Sequence, residues 1–382
     1  MDFDLTDEQR LLQDSVDRLL ADAYDFDRRR RYQAESHGFS AALWSRYAEL
    51  GLLALPFAEA DGGFGGGGVE AMIVMNAIGR CLAVEPYLAT IVLGGGFLRL
   101  GTAEQRARWI PRVADGSLRL AFAHVERQAR YDLFDVAATA RRDGAAFVLN
   151  GSKGVVLHGD SADLLIVSAR TGGARRDRDG INLFLVDANA PGLSCRGYPT
   201  QDGLRAAEIT LENVIVDAED MIGEPDTALP LIERVVDGAL AAVSAEAVGA
   251  MDVLQRTTVD YLKSRKQFGV AIGSFQALQH RAADMLIALE QARSMALYAA
   301  MLADSSDPPE RRTGIAAAKV QVNESVRAIS QEAIQLHGGI AMTDACNVGH
   351  YVKRLTMIGQ FFGDTDHHLR SVADSGGLIA SV

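Results

Sequence analysis

Between Phe134 and Val216 the chain carries β-rich runs with no helical pattern between them, whereas apolar residues recur at helical spacing on either side. Parallel, doubly wound sheets need a helical crossover between strands, so this stretch is expected to form an antiparallel sandwich or barrel. Phe134 to Arg142 and Ala145 to Asn150 flank Asp143-Gly144, a two-residue hairpin signal. Further runs at Leu164 to Ala169, Asn182 to Val186 and Glu208 to Val216 are separated by Gly, Asp and Pro. No Gly-x-Gly-x-x-Gly follows any of them, which argues against a Rossmann site.

The flanks read as helices. Thr6-Asp7-Glu8-Gln9 is a capping box, followed by Leu11, Leu12, Val16, Leu19 and Leu20 on one face. A second helix runs through Trp44 and Leu50 and stops at Pro56. The glycines Gly62, Gly63 and Gly65 to Gly68 make a loop that lacks the lysine and spacing of a phosphate loop, and helical pattern resumes from Val69 to about Asp115. After the β-rich middle, helices are expected from Leu229 to Ser264, Phe275 to Asp304, Arg311 to Leu336 and Val348 to the region of Gly363, a four-helix bundle. The expected fold is α+β and multidomain: a helical domain over 1–117, a β domain over 118–226 and the bundle over 227–382.

Composition narrows function. A chain of 382 residues with 48% hydrophobic and 23% charged residues suits packed domains, not disorder. The net charge of -12 repels polyanions, so nucleic-acid binding is not expected. The runs Arg28 to Arg31 and Arg175 to Arg178 are short enough to be solvated surface. Cys81, Cys195 and Cys346 are far apart, giving neither a disulfide framework nor a zinc site. Acidic residues open the chain where a signal peptide needs positive charge, and no apolar run could span a bilayer; a cytoplasmic setting is expected.

Two C-terminal segments carry chemistry. Arg265-Lys266-Gln267-Phe268-Gly269 is followed by Phe275-Gln276, and Gln335-Leu336-His337-Gly338-Gly339 lies further on. Arg265 offers a fixed positive fork suited to pyrophosphate. Gly338 and Gly339 admit close approach of a bulky ligand, and Gln276 and Gln335 donate and accept without charge. Taken singly, such residues are ordinary surface caps and helix ends. Together, and with Leu50-Gly51-Leu52, Gly101-Thr102-Ala103-Glu104-Gln105 and Leu149-Asn150-Gly151-Ser152-Lys153 in the same order, they resemble the acyl-CoA dehydrogenase family over nearly the whole chain.

That resemblance implies FAD as cofactor, held by Arg265, Gln267, Phe268, Phe275, Gln276, Gln335, Gly338 and Gly339 at a subunit boundary. It implies α,β-desaturation of an acyl-CoA, with hydride passing to flavin and then to an electron-transfer flavoprotein or similar acceptor. The assembly expected is a homo- or hetero-tetramer. A carboxylate base is required, and here the chain departs from the pattern. Counting forward from Gly338-Gly339, the glutamate position is Phe362; the family's second base position falls on Ala239, followed by Leu240. The loop that touches flavin and thioester is replaced by Val125 to Asp132, and Val155 and Leu157 stand where an aromatic and a threonine are usual.

Glu246, two turns from Ala239 and roughly 10 Å along the helix, is one substitute base or else a carboxylate held by a partner. Asp364 is a second candidate or a cap, and Asp237 a third. His367-His368 reads as a solvated helix end rather than a metal site. Phe362-Gly363-Asp364-Thr365-Asp366-His367-His368 is similar to the small subunit of pimeloyl-CoA and steroid side-chain dehydrogenases, which pair with a larger homologous chain. Two readings follow: an active dehydrogenase with an unusual base, or a non-catalytic subunit that completes a partner's flavin site. A flavin-free scaffold is a third.

Overall fold

A computed structural model describes residues 4–376 of the chain; Met1 to Phe3, part of the acidic opening, lie outside the described residues. Tertiary contacts divide the chain into two units, one of residues 1–30, 67–83 and 240–382, the other of residues 31–66 and 84–239. In chain order come α1 (Asp7–Ala23), α2 (Phe26–Gln33), α3 (Ala41–Glu49), α4 (Gly68–Cys81), a π-helical stretch (Leu88–Gly95) running into α5 (Gly96–Leu98), and α6 (Ala103–Ala114). The capping box at α1 forms as its sequence predicts: Thr6 Oγ1 accepts from Gln9 N at 3.2 Å and Gln9 Oε1 from Thr6 N at 3.0 Å.

The Arg28 to Arg31 run is not uniformly solvated. Arg29 is buried and its Nε donates to Leu82 O at 2.8 Å, just past α4, where Leu82 has a left-handed backbone (φ 51°). A helix end leaves carbonyls without intrahelical donors, and a guanidinium satisfies one of them. The Arg175 to Arg178 run is exposed but paired, with Arg175 and Arg176 on the buried Asp135 and Arg178 on Glu233.

The strands are β1 (Leu120–Ala123), β2 (Thr139–Asp143), β3 (Ala146–Leu157), β4 (Leu164–Arg170), β5 (Ile181–Asp187), β6 (Leu193–Pro199), β7 (Arg205–Asp217) and β8 (Met221–Ile222). They form one sheet in the order β6-β7-β3-β2-β4-β5-β8, antiparallel except where β1 and the end of β2 pair with β4 in parallel. The Asp143-Gly144 hairpin forms, with Asp143 opposite Ala146 and Gly144 at φ 62°. Its first strand begins at Thr139, five residues later than the pattern predicts. Glu126 is the reason: its carboxylate accepts from Ala137 N at 2.8 Å and Ala138 N at 3.0 Å, taking donors that a ladder would use.

Glu126 also anchors a buried polar cluster. Lys153, fully buried on β3, donates to Glu126 Oε1 at 2.6 Å and Ser168 Oγ at 3.0 Å, and His124 Nδ1 lies 2.8 Å from the same hydroxyl. Burial pushes the Lys153 amine down to about 8 against the pull of Glu126. It pushes His124 down to about 3, with Lys153 adding to the shift. His124 is therefore neutral, its ring stacked on Phe122.

The C-terminal helices are α7 (Ala228–Ser264), α8 (Gln276–Leu302), α9 (Pro308–His337), α10 (Asn347–Ile358) and α11 (Thr365–Asp374), with the short hairpin β9 (Lys266–Gln267) and β10 (Val270–Ala271) between α7 and α8. Asp307 caps α9 ahead of Pro308-Pro309, whose missing N–H groups cost nothing in a first turn. Every residue of α7 from Ala239 to Asp252 is buried. There α4 approaches so closely that a Cβ on Gly79 would meet Glu246 O, and one on Gly249 would meet Asn76 O, at 2.0 Å. The expected fourth helix ends at Ile358, short of Gly363, and a further helix, α11, follows after Phe362 (φ 57°) and Gly363 (φ 127°) turn the chain.

Because His124 is neutral when folded but titrates near 6.5 when unfolded, the unfolded state binds more protons between about pH 6.5 and 3, and stability falls as pH falls through that window. We expect His124→Gln to flatten the stability–pH slope there by up to about 1.4 kcal/mol per pH unit. Urea midpoints measured across the window check this.

Candidate functional site

Immediately after α7 the chain turns through β9 and β10, with Gln267 opposite Val270 and Lys266 opposite Ala271. Phe268 (φ 54°) and Gly269 (φ 80°) form its two-residue loop, both left-handed as a tight hairpin demands. Phe268 is 90% exposed, touching edge-on the Phe275 ring at 6.0 Å. The Arg265 backbone is fixed by Arg265 N to Tyr261 O and Ile272 N to Arg265 O, both 2.8 Å, while its guanidinium is exposed with no ion pair among the described residues. Gln267 is exposed on β9, and Gln276 opens α8 at the surface.

One aromatic contact links the ends of α7 and α9 that precede the hairpin and the Gly-Gly segment. Tyr261, a turn before Arg265, stacks on His337 at 4.5 Å, and His337 Nδ1 is 2.8 Å from Ala333 O. Gln335, Gly338 and Gly339 are exposed. Gly338 adopts φ 69°, ψ −151°, a region closed to other residues. Gly339 has no such need, and a Cβ added there would meet nothing within 4 Å. Nothing in this chain's own packing requires Gly339 to lack a side chain.

At the base position the picture is different. Phe362 is half-buried beside Phe361 and has nothing to accept a proton. Glu246, offered by the sequence as a substitute, is 1% exposed and locked to Arg354: Nε donates to Oε1 at 2.6 Å and Nη2 to Oε2 at 2.8 Å. A buried carboxylate with both oxygens on a guanidinium is a structural partner, and protonating it would strand the arginine. Asp364 accepts from His367 N at 2.8 Å as the N-cap of α11. It edges a groove of about 300 Å³ between α9 and α10, walled by Val326, Ser330, Ile334, Val352 and Leu355. Asp237 is buried on α7. His368 is buried too, not solvated as its sequence suggests; burial, then Lys319 and His367, push it down to about 3.

In the β domain the substituted loop does not present its one glutamate outward. Glu126 faces Lys153, leaving Val125 exposed, and Gly154 N donates to Val125 O at 2.8 Å. Val155 sits in a register shift of β3 with φ 51° and is 45% exposed. A β-branched residue there is strained.

Arg354 escaped the sequence reading although a signal was present. Val348, Tyr351, Leu355 and Ile358 give α10 a buried face on which Arg354 falls, and a cation on such a face calls for buried acceptors, a carboxylate among the candidates. The Tyr261–His337 stack joins residues 76 positions apart and leaves no local trace (337 − 261).

The fit to a dinucleotide is thus uneven: an exposed arginine with no ion pair among the described residues, an exposed aromatic and a bare glycine, against a paired Glu246, a capping Asp364 and a phenylalanine at 362. In chain order, helices precede and follow a mostly antiparallel sheet. Three domain descriptions match in chain order: acyl-CoA dehydrogenase N-terminal domain over residues 6–117, middle domain over 121–214 and C-terminal domain over 232–377. The chain belongs to the acyl-CoA dehydrogenase family.

It is 31% identical over 350 residues to the probable acyl-CoA dehydrogenase YngJ of Bacillus subtilis (strain 168), covering 89% of this chain and 90% of that one. Among solved structures it resembles a chain of the ChsE4–ChsE5 complex from Mycobacterium tuberculosis (25% identity, all of both chains, TM-score 0.87). It also resembles PigA in its FAD complex (26% identity, 99% of this chain and 100% of that one, TM-score 0.90). FAD is the cofactor of family members and of such structural neighbours.

The Glu246–Arg354 pair yields a stability test. Arg354→Met leaves a buried carboxylate alone and should cost about 3–5 kcal/mol, while the double variant Glu246→Leu/Arg354→Met should recover most of it. Equal losses in single and double variants, read from urea midpoints, would contradict the pairing.

Proposed function

We propose that this chain is a non-catalytic subunit of an FAD-dependent acyl-CoA dehydrogenase and completes the flavin site of a homologous, larger partner chain. The observation that carries this reading is Glu246 in its bidentate pair with Arg354. With Phe362 at the usual base position and Asp364 spent on a helix cap, none of these three offers a free base for the α-proton. What the chain does offer is a surface. Arg265 would hold pyrophosphate oxygens, Phe268 and Phe275 an apolar flank, and Gln267, Gln276 and Gln335 the hydrogen bonds of the neutral parts. Gly338 and Gly339 would leave room for close approach. FAD supplies the electron sink for desaturation when bound. The likeness to a chain of a two-protein complex supports a heteromer. The partner would supply the base, and an electron-transfer flavoprotein or similar acceptor would take the electrons.

Gly339→Leu separates this reading from a scaffold. Since nothing lies within 4 Å of the added carbon, the variant chain should fold with an unchanged Tm, yet its complex with the partner should lose flavin. Flavin content is read from the visible spectrum after gel filtration. The chain purified alone should be colourless and inactive toward acyl-CoA esters with a dye acceptor. Turnover by the chain alone at family rates would restore the reading of an active dehydrogenase with its own base.

A further inference from the structure

We infer that Lys319 is a positioning residue for the turn between α10 and α11, gripping the last carbonyls of α10 and so fixing where Phe362 and Asp364 stand. Lys319 is fully buried on α9, and among the described residues no carboxylate lies within ion-pair distance. Nζ donates instead to Ile358 O at 2.6 Å and Asn323 Oδ1 at 2.8 Å. Asn323 Nδ2 continues to Gly359 O at 3.3 Å. These two carbonyls close α10, where helix geometry leaves acceptors unsatisfied and concentrates the negative end of the dipole. A cation from the neighbouring helix therefore rests on carbonyl dipoles in place of a carboxylate.

The turn beyond is under constraint from its other side. Phe362 has a left-handed backbone, which persists only where the surroundings impose it. Gly363 packs so tightly on α11 that a Cβ would lie 2.5 Å from His368 Nε2, a buried nitrogen with no hydrogen-bond partner. The turn is clasped between Lys319 with Asn323 and the His368 ring.

Charge modulates the grip. Burial pushes Lys319 down to about 7. The titratable side chains that face it from α11 are His368, with His367 beside it, and His368 stays neutral at that pH. The ammonium makes charge-assisted bonds to Ile358 and Asn323; the free amine makes weaker ones. Burial costs more than these bonds return, since the folded value lies below that of an exposed lysine; opening therefore takes up a proton, and the hold on the turn should tighten as pH rises from about 7 toward 10, whether or not the chain meets flavin.

Hydrogen–deuterium exchange on the full chain tests this, comparing Lys319→Met with Val322→Ala, a cavity variant on the same buried face of α9. Losing charge-assisted bonds should raise exchange over residues 359–368 by about tenfold or more relative to the cavity variant. Between about pH 6 and 9, protection of that segment, corrected for intrinsic exchange, should rise in the wild type and stay flat in Lys319→Met. Exchange raised evenly along α9, α10 and α11, or one pH slope shared by both proteins, would overturn the inference. Should Lys319→Met fail to fold, Asn323→Ala removes the Gly359 arm, and its effect must be confined to the same residues.

Discussion

In the helical unit, α7 passes through an apolar interior so crowded that α4 meets it at glycines, and in that interior stands the carboxylate of Glu246. An isolated charge there would cost several kcal/mol, so a second helix must bring it a cation. Arg354 does, with both forks of its guanidinium, and its ring-side face covers Phe361 at 5.4 Å. One pair thus sets the register of α10 on α7 and supports the turn that carries Phe362. The β domain repeats the logic with Lys153 and Glu126, whose carboxylate also stops a strand at Ala138. In both units a buried carboxylate has its charge spent on a buried cation.

What is left at the surface has the opposite character. Among the described residues the Arg265 guanidinium has no counterion, Phe268 is exposed, and nothing lies within 4 Å of a Cβ placed on Gly339. Each is unexplained by the single chain, and all become reasonable if an anionic, partly planar ligand at a subunit boundary covers them. The Tyr261–His337 stack joins the ends of α7 and α9, from which the hairpin and the Gly-Gly segment follow.

Much of this was legible in the residues alone. Period and breakers located the long helices to within a few residues: Pro308-Pro309 marked the start of α9, and Asp143-Gly144 the hairpin. These features are local, set by backbone geometry and capping within a few positions. The pattern failed where a distant group intervened: strand β2 began late because Glu126 took its donors, and Arg29 left the surface to cap a helix over 50 residues away.

For the functional residues the division is the same. Sequence by itself determined which side chains are present: no glutamate at position 362, an arginine and paired glycines at the spacing of the family, and Glu246 in an apolar run. Only the tertiary structure decided what those groups are free to do. Whether a carboxylate is a base or half of an ion pair depends on what lies across the core from it, and Glu246 and Arg354 are 108 positions apart. Charge compensation acts through space, over a few ångströms, and no local pattern in the chain records it.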